Sequence, residues 1–136
     1  MIKEKFVSAK LARLLKEKGF NESVREHYYS INNQLSNINT EYNTWNDYPD
    51  FISAPTYQMV FDWLREKYNI EIFISVGYPH IKKNGNYVFN GKTYFWDVAI
   101  TTDDHLIYPF DNNNVGTNSY EETSEIAIET VLNKLI

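Results

Sequence analysis

Residues 51–76, FISAPTYQMVFDWLREKYNIEIFISV, contain the signals for one complete helix followed directly by one strand. Ser53 is a residue type that caps helix N-termini, and Pro55 suits a first turn, where its missing amide is not needed. Apolar residues then recur with helical spacing at Met59, Val60, Trp63 and Leu64. Asn69 tolerates the left-handed conformation that ends a helix, and residues 70–76 alternate with the period of a strand. We therefore expect a helix over residues 55–68, with Trp63 in the core, joined to a buried strand.

Two further helices are predicted, one near each end of the sequence. Residues 8–19 begin at a capping serine, Ser8, and end at Gly19, a residue that commonly stops a helix. Residues 120–135 follow Ser119, which has the capping-box spacing to Glu122. Each segment carries an apolar side that would pack against the rest of the fold.

The sequence between the central strand and the last helix is typical of antiparallel strands. Asn84-Gly85 and Asn90-Gly91 are both dipeptides of type I′ hairpin turns. The runs at residues 86–89 and 92–101 are rich in aromatic and β-branched residues, as strands are. We therefore predict an α+β fold in which an antiparallel β-meander of three to five strands packs against two or three helices. A length of 136 residues favours a single domain over residues 1–136.

Residues 21–50 are the least regular part of the sequence. Asparagines crowd this segment, and their side chains compete with the backbone for hydrogen bonds. A short helix over residues 23–30 is the one element that we expect there. Long irregular segments in small domains are often functional or mobile. We expect this one to be mobile or to be ordered by a partner.

Composition excludes several classes of function. The net charge of −5 argues against nucleic-acid binding, which requires a basic face. The chain has no cysteine, so disulfides, thiolate nucleophiles and cysteine-based zinc sites are absent. No apolar run approaches the ~18 residues of a membrane span. We expect a cytoplasmic protein that binds neither nucleic acid nor membrane and uses no cofactor.

Catalytic and metal-binding motifs are missing as well. The five glycines do not form a phosphate-binding pattern, and no HExxH or GxSxG motif occurs. Asp97 interrupts an apolar strand, where burial would raise a carboxyl pKa. His105 lies beside two aspartates in a sequence typical of a turn. A small enzyme that uses Asp97 or His105 is therefore one alternative, and an exposed position for both is the simpler interpretation.

Aromatic residues make up 16% of the chain, more ring surface than one small core readily holds. Trp45, Tyr48 and Asp50 lie in the irregular segment, and Tyr78 opens a turn. Exposed loops are where binding residues concentrate on a rigid scaffold. We predict that Trp45, Tyr48, Asp50 and Tyr78 form a binding surface. The alternative is an aromatic pocket for a small ligand, for which the candidate rings are Trp45, Tyr48, Tyr78, Tyr94 and Trp96.

The order of elements resembles a group of small proteins found in Bacteroidetes genomes and in the phages or prophages of those bacteria. The similarity lies in SAPTYQMVFDWLREKYNIEIFI, residues 53–74, and in the closing segment from residue 120 to residue 136. It implies a shared architecture and a source, and no site residue is transferred by it. The resemblance leaves the function open. Because catalytic motifs are missing, we expect a non-enzymatic interaction protein. Such a protein would be a phage- or mobile-element-borne accessory factor acting on a host protein, and it could also form a homo-oligomer.

Overall fold

The computed structural model describes residues 3–36, 41–89, 91–110 and 116–136. The elements in chain order are α1 (Ala9–Glu17), β1 (His27–Tyr29), a 3₁₀ turn (Trp45–Asp47), β2 (Phe51–Ser53), α2 (Tyr57–Tyr68), β3 (Ile70–Gly77), β4 (His80–Lys83), β5 (Asn86–Phe89), β6 (Thr93–Thr101), β7 (Leu106–Ile107) and α3 (Tyr120–Leu135). The predicted α+β class is confirmed, because helices alternate with antiparallel strands.

The strands of the described residues form three small antiparallel sheets. β1 pairs with β2, β4 pairs with β5, and the largest sheet has the order β3-β6-β7. The β3–β6 ladder runs without a break from Ile70 opposite Ile100 to Gly77 opposite Thr93. The hairpin of β4 and β5 lies between β3 and β6 in sequence but belongs to a sheet of its own.

The chain divides into two compact units. The first comprises Met1–Val60 with Glu129–Ile136, and the second comprises Phe61–Ile128. The single domain that we expect from length stays a prediction, and each unit is described by itself below.

Local signals in the first unit explain how α1 begins and ends. Ser8 Oγ accepts a hydrogen bond from the Leu11 amide at 3.2 Å, which is the predicted cap. Gly19 has φ of +91° and the Phe20 amide bonds back to the Leu15 carbonyl at 2.9 Å. The predicted stop is thus confirmed. Phe20 is fully buried, so the end of the helix is also anchored by apolar packing.

Two predictions for the first unit are wrong. Residues 23–30 contain no helix, because His27–Tyr29 pairs with Phe51–Ser53 as a strand. The cap of α2 is Thr56, whose Oγ1 accepts from the Met59 amide at 3.2 Å. Ser53 instead exchanges two hydrogen bonds with Asn46, which draws the 3₁₀ turn onto β2. The sequence pattern does not show that Ser53 pairs with Asn46 instead of capping α2.

In the second unit α2 ends where the sequence predicts. Asn69 adopts φ of +56°, and β3 starts at the next residue. The prediction that this strand is buried is wrong, because Ile70 is its only buried residue. Trp63 is buried, as the apolar stripe indicates, and its ring meets Tyr68 edge to face at 5.4 Å. Asn84 and Gly85 both have positive φ, which confirms the type I′ turn between β4 and β5. For the second predicted turn, Asn90 lies outside the described residues.

Candidate functional site

The hairpin of β4 and β5 in the second unit is exposed along both of its strands. All eight of its strand residues are exposed. Tyr87 and Phe89 stand out, with 72% and 71% of their surfaces open to solvent. Large apolar side chains at this exposure usually mark a contact surface rather than part of a core. The hairpin is therefore the first candidate for a binding site.

Register places four side chains on one face of this hairpin. His80 pairs with Phe89 and Lys82 pairs with Tyr87, and partners in an antiparallel ladder share a face. The His80 and Phe89 rings lie 4.4 Å apart, centroid to centroid. This hairpin surface, made of His80, Lys82, Tyr87 and Phe89, combines two large rings with a cation and an imidazole.

The charge around the hairpin surface is opposite to that of the whole chain. No aspartate or glutamate occurs between Glu71 and Asp97, whereas Lys82, Lys83 and Lys92 all do. The Lys92 ammonium lies 5.1 Å from the centre of the Tyr94 ring. Hydrogen bonding to the Tyr94 side chain raises the pKa of Lys92, so this amine stays charged. A locally basic, aromatic surface favours an acidic or aromatic partner over a basic one.

Of the residues predicted to bind, Trp45 packs mainly against other residues of the first unit. Its Nε1 donates to the Val24 carbonyl at 3.0 Å, and its ring stacks on His27 with centroids 4.2 Å apart. It also meets Phe51 edge to face. The ring thus has a packing role, which the irregular sequence around it did not suggest.

Tyr48 and Asp50 lie beside Trp45 and are more open. Tyr48 is 46% exposed and Asp50 is exposed. The Tyr48 carbonyl accepts a hydrogen bond from Lys16, and the Asp50 carbonyl accepts one from the Ser30 amide. Their backbones are held in place while their side chains remain accessible. Tyr78 is exposed in the second unit, just before β4.

His27 is a functional candidate that the sequence did not reveal. Only 3% of its surface is exposed, and rings of Trp45, Phe51 and Tyr29 surround it. Burial lowers the pKa of His27, and the nearby Glu26 carboxylate opposes this with a smaller effect. Within the described residues Nδ1 has no hydrogen-bond partner. The imidazole is therefore held neutral in an apolar setting.

A groove between α1 and the last turns of α3 lies within the first unit. It has a volume of about 300 Å³. Leu11 and Leu14 line it together with charged and polar side chains, among them Lys10 and Glu129, which form a salt bridge of 3.3 Å. The described residues that line it include no aromatic side chain, so it differs from the aromatic pocket considered above.

The two residues of the enzyme hypothesis have local partners. Asp97 accepts a hydrogen bond from the Val98 amide at 2.8 Å. His105 lies in an exposed turn, where Nδ1 is 2.6 Å from an Asp104 carboxylate oxygen. Among the described residues no three histidine, aspartate or glutamate side chains cluster in a way that could hold a metal. The Nδ1 of His105 is also 3.0 Å from Thr102 Oγ1, and the Thr102, Asp104 and His105 side chains are all exposed.

Comparisons with protein-family models, curated proteins and solved structures found no match to this chain. None of the helices formed by the described residues combines the length and the apolar character that crossing a bilayer demands. The site must therefore be interpreted from its own residues.

Proposed function

We propose that this chain is a non-enzymatic binding protein that engages a partner protein through the hairpin surface. The observation that supports it is the full exposure of β4 and β5 together with the two open rings of Tyr87 and Phe89. Aromatic side chains supply large contact area for few rotatable bonds, which is why they dominate binding hot spots.

The chemistry of the surface defines the class of partner. Lys82 and Lys83 project from β4 with no carboxylate nearby in sequence. They favour a segment that carries acidic residues beside an apolar or aromatic anchor, since complementary charges guide association. Single-stranded nucleic acid would use similar chemistry. The net charge of −5 disfavours a polyanion, because long-range repulsion would slow its approach.

The resemblance to proteins of Bacteroidetes and their phages extends this proposal to a biological role. The chain would act as an accessory factor of a phage or mobile element, in the cytoplasm, on a host protein. The site would comprise the hairpin surface and Tyr78, with Tyr48 and Asp50 as a separate exposed patch in the first unit.

A photo-crosslinking residue at position 87 tests the proposal. We expect it to form an adduct with one host protein, and we expect the adduct to weaken as salt increases. The matched control places the same residue at Tyr42, which is exposed in the first unit. Equal labelling from both positions, or an adduct with nucleic acid alone, would refute the assignment.

A small-ligand binder is the second candidate. The observation that favours it is the groove lined by Leu11, Leu14 and the Lys10–Glu129 salt bridge. Native mass spectrometry of the purified protein tests this alternative. A bound small molecule that is lost in a Leu14→Trp variant, which fills the groove, would support it. A mass equal to that of the bare chain would count against it.

A further inference from the structure

β3 is a long edge strand of the largest sheet. It spans eight residues and pairs along its whole length with β6. The sheet order β3-β6-β7 leaves its other edge without a strand among the described residues. Such an edge presents a row of backbone donors and acceptors to any compatible strand.

Hydrogen bonds of β6 show which residues of β3 present these groups. The Thr101 amide donates to the Asn69 carbonyl at 2.9 Å, whereas the Thr102 amide donates away from β3, to His105. Tyr94 likewise exchanges both of its backbone bonds with Thr117. Odd-numbered residues of β6 therefore face β3, and each pairs with an odd-numbered residue of β3.

The even-numbered residues of β3 consequently direct their amides and carbonyls toward the open edge. These residues are Ile70, Ile72, Ile74 and Val76. Native sheets usually protect such an edge with lysine, proline or a bulge. β3 contains neither lysine nor proline, and its unbroken register excludes a bulge. Ile70 is buried and Glu71 is the single charged residue of β3, whereas residues 72–76 are partly or fully exposed. Among the described residues no further strand pairs with this exposed part of the edge, so it is available to another strand.

We propose that the strand that covers this edge is β3 of a second copy of the chain, in antiparallel orientation about a two-fold axis. An axis through Phe73 places Ile72 opposite Ile74 of the partner subunit. These two residues would then exchange hydrogen bonds across the axis. One face of the joined sheet would be continuously apolar.

The same register is also compatible with the side chains on the other face of β3. Phe73 would face Phe73 of the partner subunit in a non-hydrogen-bonded pair, where side chains approach most closely. This accounts for an edge-strand phenylalanine that is 48% exposed in the isolated chain. Glu71, already paired with Arg65 at 2.7 Å, would face Ser75 rather than another carboxylate. The pairing is thus free of like-charge contacts.

Light scattering on Phe73 variants is the first test, and it does not depend on the hairpin proposal. The wild-type chain is expected to be dimeric. Phe73→Lys and Phe73→Glu should each be monomeric, because like charges would meet at the axis, and an equimolar mixture should restore the dimer. Tyr87→Lys, an equal change at an exposed ring outside β3, should leave the dimer intact. A wild-type chain that stays monomeric up to about 1 mM, where even weak interfaces associate, overturns the proposal.

Two further measurements report the register itself, even if Phe73 variants fold poorly. Ser75→Lys should tighten the dimer and Ser75→Glu should weaken it, each by roughly three- to tenfold, because position 75 meets Glu71 across the axis. Amide hydrogen exchange at Ile72 and Ile74 should slow as protein concentration rises, while Phe73 and Ser75 should be protected at every concentration. Equal responses at odd and even positions, or no dependence on concentration, would show that β3 does not pair in this way.

Discussion

Each unit contains a histidine ring packed on an aromatic ring, and the two pairs have opposite environments. In the first unit His27 stacks on Trp45 at 4.2 Å and is almost completely buried. In the second unit His80 lies 4.4 Å from Phe89, and both rings are exposed. Similar ring contacts therefore serve two purposes. One pair packs the interior of its unit, and the other is available to a partner.

The difference arises from what covers each two-stranded sheet. The 3₁₀ turn of Trp45–Asp47 is bound to β2 by the paired hydrogen bonds of Asn46 and Ser53, which brings Trp45 over His27. None of the described residues pairs a third strand with β4 or β5. A two-stranded ribbon is only marginally stable alone, so its exposed rings gain most from a partner.

The largest effect is expected from Trp45→Ala. This change removes the stack on His27 and the hydrogen bond to the Val24 carbonyl, and it opens a cavity beside Phe51. We expect the free energy of unfolding to fall by roughly 2–3 kcal/mol, somewhat less than for a fully buried tryptophan. Urea denaturation measures this change in the free energy of unfolding. An unchanged midpoint would show that Trp45 belongs with the exposed rings.

The second prediction concerns the dependence of stability on pH. Burial lowers the pKa of His27 in the folded chain, so the unfolded chain binds a proton first as pH falls. The contribution to stability is complete above the ordinary histidine pKa of 6.5 and is lost as pH falls from there through the lowered folded value. We expect the free energy of unfolding to decrease over this range.

His27→Phe should remove this part of the pH dependence, and His80→Phe should leave it in place because His80 is exposed. Denaturation midpoints between pH 7.5 and pH 5 provide the comparison, a range that brackets histidine titration. Identical pH profiles for wild type and His27→Phe would show that another group carries the effect.

A smaller and local effect is expected from Gly85→Ala. Gly85 has φ of +80° in the type I′ turn, a conformation that costs an alanine about 1 kcal/mol. Hydrogen exchange should accelerate in β4 and β5 while the β3–β6 ladder keeps its protection. The neighbouring Lys83→Ala has no such strain and serves as the control. Faster exchange throughout β3 as well would indicate that the hairpin is coupled to the main sheet.

The smallest effect on stability is expected from the double change Tyr87→Ser, Phe89→Ser. Both side chains are exposed, so the free energy of unfolding should change by no more than about 0.5 kcal/mol. The same variant should lose the crosslinked partner. A large loss of stability would mean that these rings pack within the chain, and the contrast with the Trp45 pair would disappear.

Local chemistry in the sequence was sufficient to predict much of the secondary structure. The last helix, Tyr120–Leu135, and the type I′ turn at Asn84 have the predicted bounds. The cap at Ser8 and the helix end at Asn69 agree as well. These features depend on groups a few residues apart, whose preferences are visible in a short window.

Whether an aromatic side chain is packed or open could not be predicted from the sequence, for a physical reason. Trp45 and Tyr87 are both aromatic residues in polar surroundings, and nothing next to them in sequence separates a packed ring from an open one. Tyr48, Asp50 and Tyr78 are exposed. The rings of the hairpin surface are exposed too, but the sequence did not mark them as binding residues.

Helix caps, turn types and strand periodicity follow from the sequence because each depends on short-range sterics and hydrogen bonding. The pairing of β1 with β2, the burial of His27 and the open edge of β3 emerged only from the tertiary structure. Each of these depends on contacts between residues distant in sequence, such as Val24 with Trp45 or Asn69 with Thr101. Burial is a property of the assembled chain, and identical side chains acquire different roles through it.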